Sequence, residues 1–190
     1  MTSGQVLDIF RATGALLEGH FVYTSGRHGA HFIQAARVVQ FPNYTERLCR
    51  AIAEKWKGEP IELVAGPATG GIILAYETAR HLDCRAVFTE KDGGGMSLRR
   101  GFRLDPKTNV LVVEDVITTG GSVRKTIDHL RKRGARVAGV SVLIDRSGGE
   151  ASFDCPYKPL AYLALKSYDP AECPGCAEGI PMSDPDDMMV

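Results

Sequence analysis

VLVVEDVITTGGSVRK, residues 110–125, decides the fold. Val110, Leu111, Val112 and Val113 are apolar on both alternating faces, the pattern of a strand covered above and below. Glu114 and Asp115 stand at its carboxyl end. A turn of small residues follows, and then a helical stripe of Val123, Ile127 and Leu130. A strand that feeds a helix in this way belongs to an open α/β sheet, whose ligands sit beyond the carboxyl ends of the strands. Hydroxyls of Thr118, Thr119 and Ser122, backbone N–H groups freed by Gly120 and Gly121, and the positive end of a helix together make a cradle for a phosphate. Two carboxylates would repel that phosphate, so they face something else, either sugar hydroxyls or a Mg²⁺ shell. A plainer reading has the two acids capping the turn and the glycines as a simple connection, but the whole combination is hard to assemble by accident. The chain has no Gly-Lys pair and no G-x-G-x-x-G, which excludes both the P-loop and the dinucleotide fingerprint.

Outward from this stretch the same alternation continues. Strands are predicted at 61–65, 86–89, 137–144 and 160–165, and helices at 71–82 and 121–133. The first helix carries Ile72, Ile73, Ala75, Tyr76 and Ala79. The second ends on Arg131, Lys132 and Arg133 with Gly134 beyond, a helix stop that suits the dipole. AGPATGGI, residues 65–72, is a second glycine-rich exit from a strand, and there the backbone can approach a ligand closely. The first sixty residues differ in character. A helix near 5–12 precedes a hairpin around 20–39, and a further helix opens at Asn43, with Glu46 completing a capping box and Tyr44, Leu48, Ile52 and Trp56 as its buried face. Too small to stand alone, this segment covers one end of the sheet. The last twenty residues, rich in proline and acids, are expected to form an irregular tail.

Composition narrows the function. With 190 residues the expectation is one domain. Twenty-three basic residues balance twenty-three acidic ones, so no bulk field draws the chain to nucleic acid or an anionic membrane. The longest uncharged stretch, 63–76, is too short and too interrupted to span a bilayer, and the opening MTSGQVLDIF is not a secretion signal. Five scattered cysteines suggest a reducing, cytoplasmic setting. Cys173 and Cys176, in C-P-G-C, could begin a zinc site. No second close-spaced ligand pair accompanies them, so free thiols are expected.

VVEDVITTGGSV resembles the 5-phosphoribosyl 1-diphosphate (PRPP) signature of the type I phosphoribosyltransferases. That resemblance implies a mostly parallel central sheet flanked by helices, with a core at about 59–165 and a hood formed by 1–58 plus 166–190. It also implies PRPP contacts from Glu114 and Asp115 to the ribose hydroxyls, from Val116, Ile117, Thr118, Thr119, Gly120, Gly121 and Ser122 around the 5-phosphate, and from Thr69 and Gly70 at the diphosphate. GALLEGHFVYTSGRHGAHFIQ (14–34), IDRSGG (144–149) and EGIP (178–181) are similar to the orotate branch of the family, over nearly the whole chain. Orotate carries a carboxylate, which a guanidinium matches with two parallel hydrogen bonds, and by resemblance Arg146 is that partner. The alternative for Arg146 is a solvated side chain beside Asp145. Phe32 or Ile33 would pack on the ring face, with Phe32 in plain core packing as the alternative. Thr24, Ser25 and Gly26 would supply donors at the rim, and Thr118 would also reach the base. His28 and His31 are taken as hood residues without a chemical role.

FTEKDGGGMSLRRGF, residues 88–102, is expected to be a mobile loop whose Lys91, Arg99 and Arg100 suit a leaving diphosphate, with a solvated surface hairpin as the plainer alternative. The resemblance implies that it closes over the neighbouring subunit of a homodimer with shared active sites. It also implies Mg²⁺ bound through the diphosphate and ribose hydroxyls, with Asp115 as a candidate ligand and catalytic residue. Many relatives carry a lysine where Thr24 and Gly70 align, and a lysine–histidine grouping where this chain has MSLRRG. Which cation meets the diphosphate therefore stays open. The implied reaction is transfer of phosphoribose from PRPP to orotate N1 in pyrimidine synthesis, without nucleic-acid or membrane partners. The competing readings are a purine-type phosphoribosyltransferase and a non-catalytic PRPP-sensing regulator of the same fold.

Overall fold

The structure is a computed structural model that describes residues 1–23 and 25–188. In chain order its elements are α1 (Ser3–Ala12), β1 (Leu16–Val22), β2 (His28–Ile33), α2 (Ala36–Val39), α3 (Pro42–Lys55), β3 (Leu63–Pro67), α4 (Gly71–Leu82), β4 (Arg85–Asp92) and β5 (Gly95–Leu98). They continue with β6 (Asn109–Ile117), α5 (Gly121–Lys132), β7 (Arg136–Asp145), β8 (Ala161–Tyr162), a 3₁₀ turn at Pro170–Glu172 and α6 (Pro174–Ala177). A six-stranded sheet runs β5-β4-β3-β6-β7-β8, parallel except for β5. β1 and β2 form a separate antiparallel hairpin.

Period-two burial explains the layers. Val64, Leu111, Val113 and Leu143 point to one face, where Leu48 and Ile52 of α3 and Leu74 and Ala75 of α4 cover them. Leu63, Ala65, Val110, Val112, Val140 and Val142 point to the other, beneath Val123, Ile127 and Leu130 of α5. Parallel strands need crossovers, and right-handed ones place a helix on opposite faces according to the direction of travel. From β3 the chain steps one way to β4, and from β6 it steps the other way to β7. The turns that leave β3 and β6 therefore diverge and open a crevice between the two strand ends, the usual ligand position in such sheets.

Trp56, just past α3, is 1% exposed. Its indole N–H donates to Ser141 Oγ at 2.8 Å, and that hydroxyl donates to the Lys158 carbonyl at 2.7 Å. Gly139 of β7 is required beneath it, because a Cβ there would lie 2.9 Å from the indole Cζ2. The predicted stripe Leu48, Ile52 and Trp56 is fully buried, and Tyr44 packs partly buried against it.

Several expectations need correction. The helix predicted to open at Asn43 begins at Pro42, with Phe41 at the cap, because proline is preset for the first helical position. Glu46 does not cap; it pairs with Arg50. The true capping box is Thr2 with Gln5 on α1. Ile73 and Tyr76 of α4 are exposed, at 48% and 63%. The strand expected at 160–165 shortens to two paired residues, and the hairpin expected around 20–39 is formed by β1 and β2, which end at Ile33. Residues 88–102 are not an open loop but largely a β-hairpin, with Lys91 paired to Met96 and a tight turn at Gly93 and Gly94, both at positive φ. The tail is irregular as expected, yet it is docked: Tyr168 pairs with His28, and the Ser183 N–H donates to the His20 carbonyl at 2.7 Å.

Candidate active site

A cavity of about 270 Å³ lies at the end of β6, lined by Glu114, Val116, Ile117, Thr118, Thr119, Gly120, Gly121, Ser122, Val123 and Lys125. The structure thus brings the predicted phosphate turn together as one concave surface at the N-terminus of α5. Gly120 has φ +76°, and a Cβ there would also meet the Phe153 ring at 3.0 Å, so glycine is required twice over. Two cations escaped the sequence reading. Lys125 lines the cavity, and Arg124 ties the turn down by donating to the Thr119 carbonyl and, at 3.1 Å, to that of Ser152. Their spacing of three and four residues after Gly121 on a helix was the available signal.

Glu114 is buried, and its carboxyl is pushed up to about 9, first by burial and then by the Asp115 charge. Burial also raises Asp115, against the Val116 N–H that donates to it at 2.6 Å. At neutral pH the free site therefore holds a proton on an acid that would ordinarily be ionised, and hydroxyl donors or a cation fit that excess of acceptors.

The turn after β3 comes directly against these acids. Gly66 and Gly71 meet backbone to backbone, a Cβ on Gly71 lying 2.8 Å from the Gly66 Cα. A Cβ on Gly70 would overlap the Asp115 carboxylate, 2.7 Å from its Cγ. A side chain at Gly70, such as the lysine that the family resemblance implies at the aligned position, would have to push the Asp115 carboxylate aside. Gly70→Ala is expected to displace Asp115 and lower kcat/KM by about 30-fold, roughly 2 kcal/mol, with the melting temperature nearly unchanged. Steady-state kinetics beside a thermal melt check this.

Arg146 sits at the end of β7, its N–H donating to the Ile117 carbonyl at 2.7 Å, so it adjoins the cavity wall. Its guanidinium lies 5.3 Å over the Tyr23 ring, and its buried Nε has no hydrogen-bond partner among the described residues. Asp145 does not pair with it. That carboxylate accepts instead from the Ser147 N–H at 2.7 Å and the Tyr157 hydroxyl at 2.9 Å, and so shapes the turn that carries Arg146. The Tyr157 phenol is raised, mainly by burial and by donating to that carboxylate. Tyr23 was missed in the sequence. It crosses β2 above Gly29, where a side chain would overlap it, and donates to the His31 carbonyl at 2.6 Å.

The remaining predicted residues are less gathered. Phe32 is half-buried with its ring 5.6 Å from that of Phe21, whereas Ile33 is 7% exposed within the main core, so only Phe32 offers surface to a ligand. Ser25 is exposed in the hairpin turn, where its hydroxyl accepts from the Arg27 N–H. Thr24 lies outside the described residues. Thr69 stands in the turn after β3. Of the three hairpin cations, Arg99 pairs with Asp92 at 2.7 Å, and Arg100 pairs with Glu90 at 2.7 Å and stacks over Phe88. Lys91 is exposed and has no ion pair among the described residues. None of the three lines the cavity.

Residues 42–161 match the model of the phosphoribosyl transferase domain. The orotate phosphoribosyltransferase of Heliobacterium modesticaldum is 50% identical over 188 residues, covering 97% of this chain and 98% of its own. The chain belongs to the orotate phosphoribosyltransferase family. A crystal structure of orotate phosphoribosyltransferase from Aeropyrum pernix is 28% identical with a TM-score of 0.68, covering 83% of this chain and 93% of its own. Adenine phosphoribosyltransferase from Rhodothermus marinus shares the fold at TM-score 0.65 with 23% identity, covering 84% and 99%. Fold alone therefore does not choose the base; the whole-length orotate phosphoribosyltransferase relationship does.

Proposed function

We infer that this chain transfers the phosphoribosyl group of PRPP to N1 of orotate, giving orotidine 5′-monophosphate and diphosphate. The observation that carries the reading is Arg146, half-buried beside the phosphate cradle, whose enclosed Nε has no hydrogen-bond partner among the described residues. An unpaired buried donor is costly, and a planar carboxylate satisfies it. A purine has no such group, and neither does a regulator that senses PRPP alone.

The 5-phosphate would lie on the backbone N–H groups and hydroxyls from Thr118 to Ser122, with Lys125 beside it. Ribose hydroxyls would donate to Glu114 and Asp115 in place of the proton that the free site holds. The diphosphate would follow the turn at Thr69 and Gly70. Orotate, gripped by Arg146 and flanked by Phe32 and the Ser25 turn, would present N1 to the opposite face of C1. The C1–N1 bond forms as the C1–O bond breaks, the electron pair leaves with diphosphate, and the N1 proton passes to that diphosphate or to solvent. Fixing both partners in line supplies much of the rate. The oxygen donors of Glu114 and Asp115 suit Mg²⁺, which when bound with PRPP would supply neutralising charge on the diphosphate.

Lys91 is the hairpin cation best placed to act, since Arg99 and Arg100 are already paired. Those exposed pairs are weak, so both arginines could exchange partners on closure. Exposed Ile73 and Tyr76, on the helix that follows the diphosphate turn, support a homodimer in which one subunit's hairpin covers the other's site. Five free cysteines support a cytoplasmic setting, and no helix of the described residues is long and apolar enough to cross a membrane.

The test is orotate absorbance with protein, Mg²⁺ and PRPP. Orotate is expected to disappear only when all three are present and to persist when a chelator removes the metal. Turnover of adenine or hypoxanthine in place of orotate, or of no base, would overturn the reading.

A further inference from the structure

We infer that His20, His28, Cys173 and Cys176 form a tetrahedral Zn²⁺ site that fastens the C-terminal segment to the hood hairpin. The sequence shows only C-P-G-C; the fold supplies the second pair from β1 and β2, some 150 residues away. The donor atoms His20 Nε2, His28 Nδ1 and the two Sγ all lie within 4.8 Å of one another. Four of the separations are 3.2 Å for His20–His28, 3.3 Å for Cys173–His20, 3.7 Å for Cys176–His20 and 3.2 Å for Cys176–His28. With Zn–N of about 2.0–2.1 Å and Zn–S of about 2.3 Å, the edges of a tetrahedron are about 3.3–3.8 Å. Four of the six edges therefore already stand at close to coordination distances, and the other two lie within 4.8 Å.

The surroundings favour coordination over chance contact. His20, His28 and Cys173 are each at most 6% exposed. His20 Nδ1 lies 2.8 Å from the Ile180 carbonyl, which can only accept, so this nitrogen carries the proton and Nε2 turns a lone pair to the cluster. Gly175, between the two cysteines, packs on that ring, where a Cβ would come within 3.0 Å. Two thiols and two imidazoles with no carboxylate select a soft or borderline ion and reject Mg²⁺. Binding converts both thiols to thiolates with release of two protons, and the resulting Zn(Cys)₂(His)₂ centre has no net charge, as burial requires. A cavity of about 300 Å³ lined by Gly19, Gly29, Ala30, Tyr168, Pro174 and Ile180 gives the ion an entry path. All four positions are protein ligands, so the centre is structural. It steadies the hairpin whose turn carries Tyr23 and Ser25.

The test uses full-length protein without a histidine tag. Elemental analysis should find about one zinc per chain. Chelator-stripped protein titrated with Co²⁺ should develop the ligand-field bands of a tetrahedral ion together with thiolate-to-cobalt charge transfer. Cys176→Ser, at the exposed ligand, should lose most of the charge-transfer intensity and melt about 10 °C lower than the metal-loaded chain. If that variant does not fold, the Co²⁺ spectrum of the unmutated chain decides alone. Metal-free protein that binds no Co²⁺, or that carries a Cys173–Cys176 disulfide as isolated, would overturn the proposal.

Discussion

Replacing Arg146 with alanine is expected to raise the KM for orotate by about 100-fold while leaving that for PRPP within about threefold. The guanidinium is held by stacking on Tyr23 and by the backbone bond to Ile117, and its Nε donates to nothing among the described residues. It is therefore ready for a carboxylate, while it is its backbone N–H, on the Ile117 carbonyl, that touches the cradle wall. Arg146→Lys keeps the charge and loses the fork, so an intermediate penalty of about tenfold is expected. Orotate absorbance followed at varied concentrations of each substrate measures both constants. Equal penalties on the two substrates would remove Arg146 from the base site.

Glu114→Gln should have opposite effects on stability and on catalysis. The carboxyl of Glu114 titrates at about 9 in the folded chain against an ordinary 4.5. Between those values the folded state holds a proton that the unfolded state has lost, so wild-type stability declines as pH rises through that window and levels off above it. Glutamine cannot ionise and escapes the decline. The ligand-free variant should be more stable at pH 8 by about 1–2 kcal/mol, a rise of roughly 4 °C in melting temperature, with a smaller gain at pH 5. Its kcat/KM for PRPP should fall by about 100-fold as one ribose acceptor is lost. Melts across pH 5 to 9 decide the matter, since a gap that stays flat or narrows as pH rises would mean that Glu114 is ionised in the free site. The site thus holds a charge conflict that substrate relieves, a familiar trade of stability for function.

What the sequence made legible was local. The run 110–113, the glycines at 120 and 121 and the stripe 123, 127 and 130 specify strand, turn and helix without outside help, and the structure places them so. Leu48, Ile52 and Trp56 likewise declare one face by spacing alone. The start of α3 was misjudged because Asn43 and Glu46 satisfy a capping pattern that Pro42, preset one position earlier, forestalls. Three consecutive glycines favour a mobile loop over the alternative hairpin that β4 and β5 form; two of them serve a tight turn at positive φ. Nothing local reveals that Tyr23 lies beneath Arg146, that Asp115 fills the space at Gly70, or that His20 meets Cys173. Those contacts join residues 45 to 153 positions apart and exist only once the sheet has assembled.

The docking of the tail on the hood also sets an order of events during synthesis. β1 and β2 emerge from the ribosome early, but their partners Tyr168 and Ser183 emerge only near the end. Until then the hairpin presents an unmatched edge, and closing so long a span is slow because contacts distant along the chain form late. A chain truncated before residue 168 would thus keep β6 and the turn that follows it beneath a hairpin that the tail no longer secures.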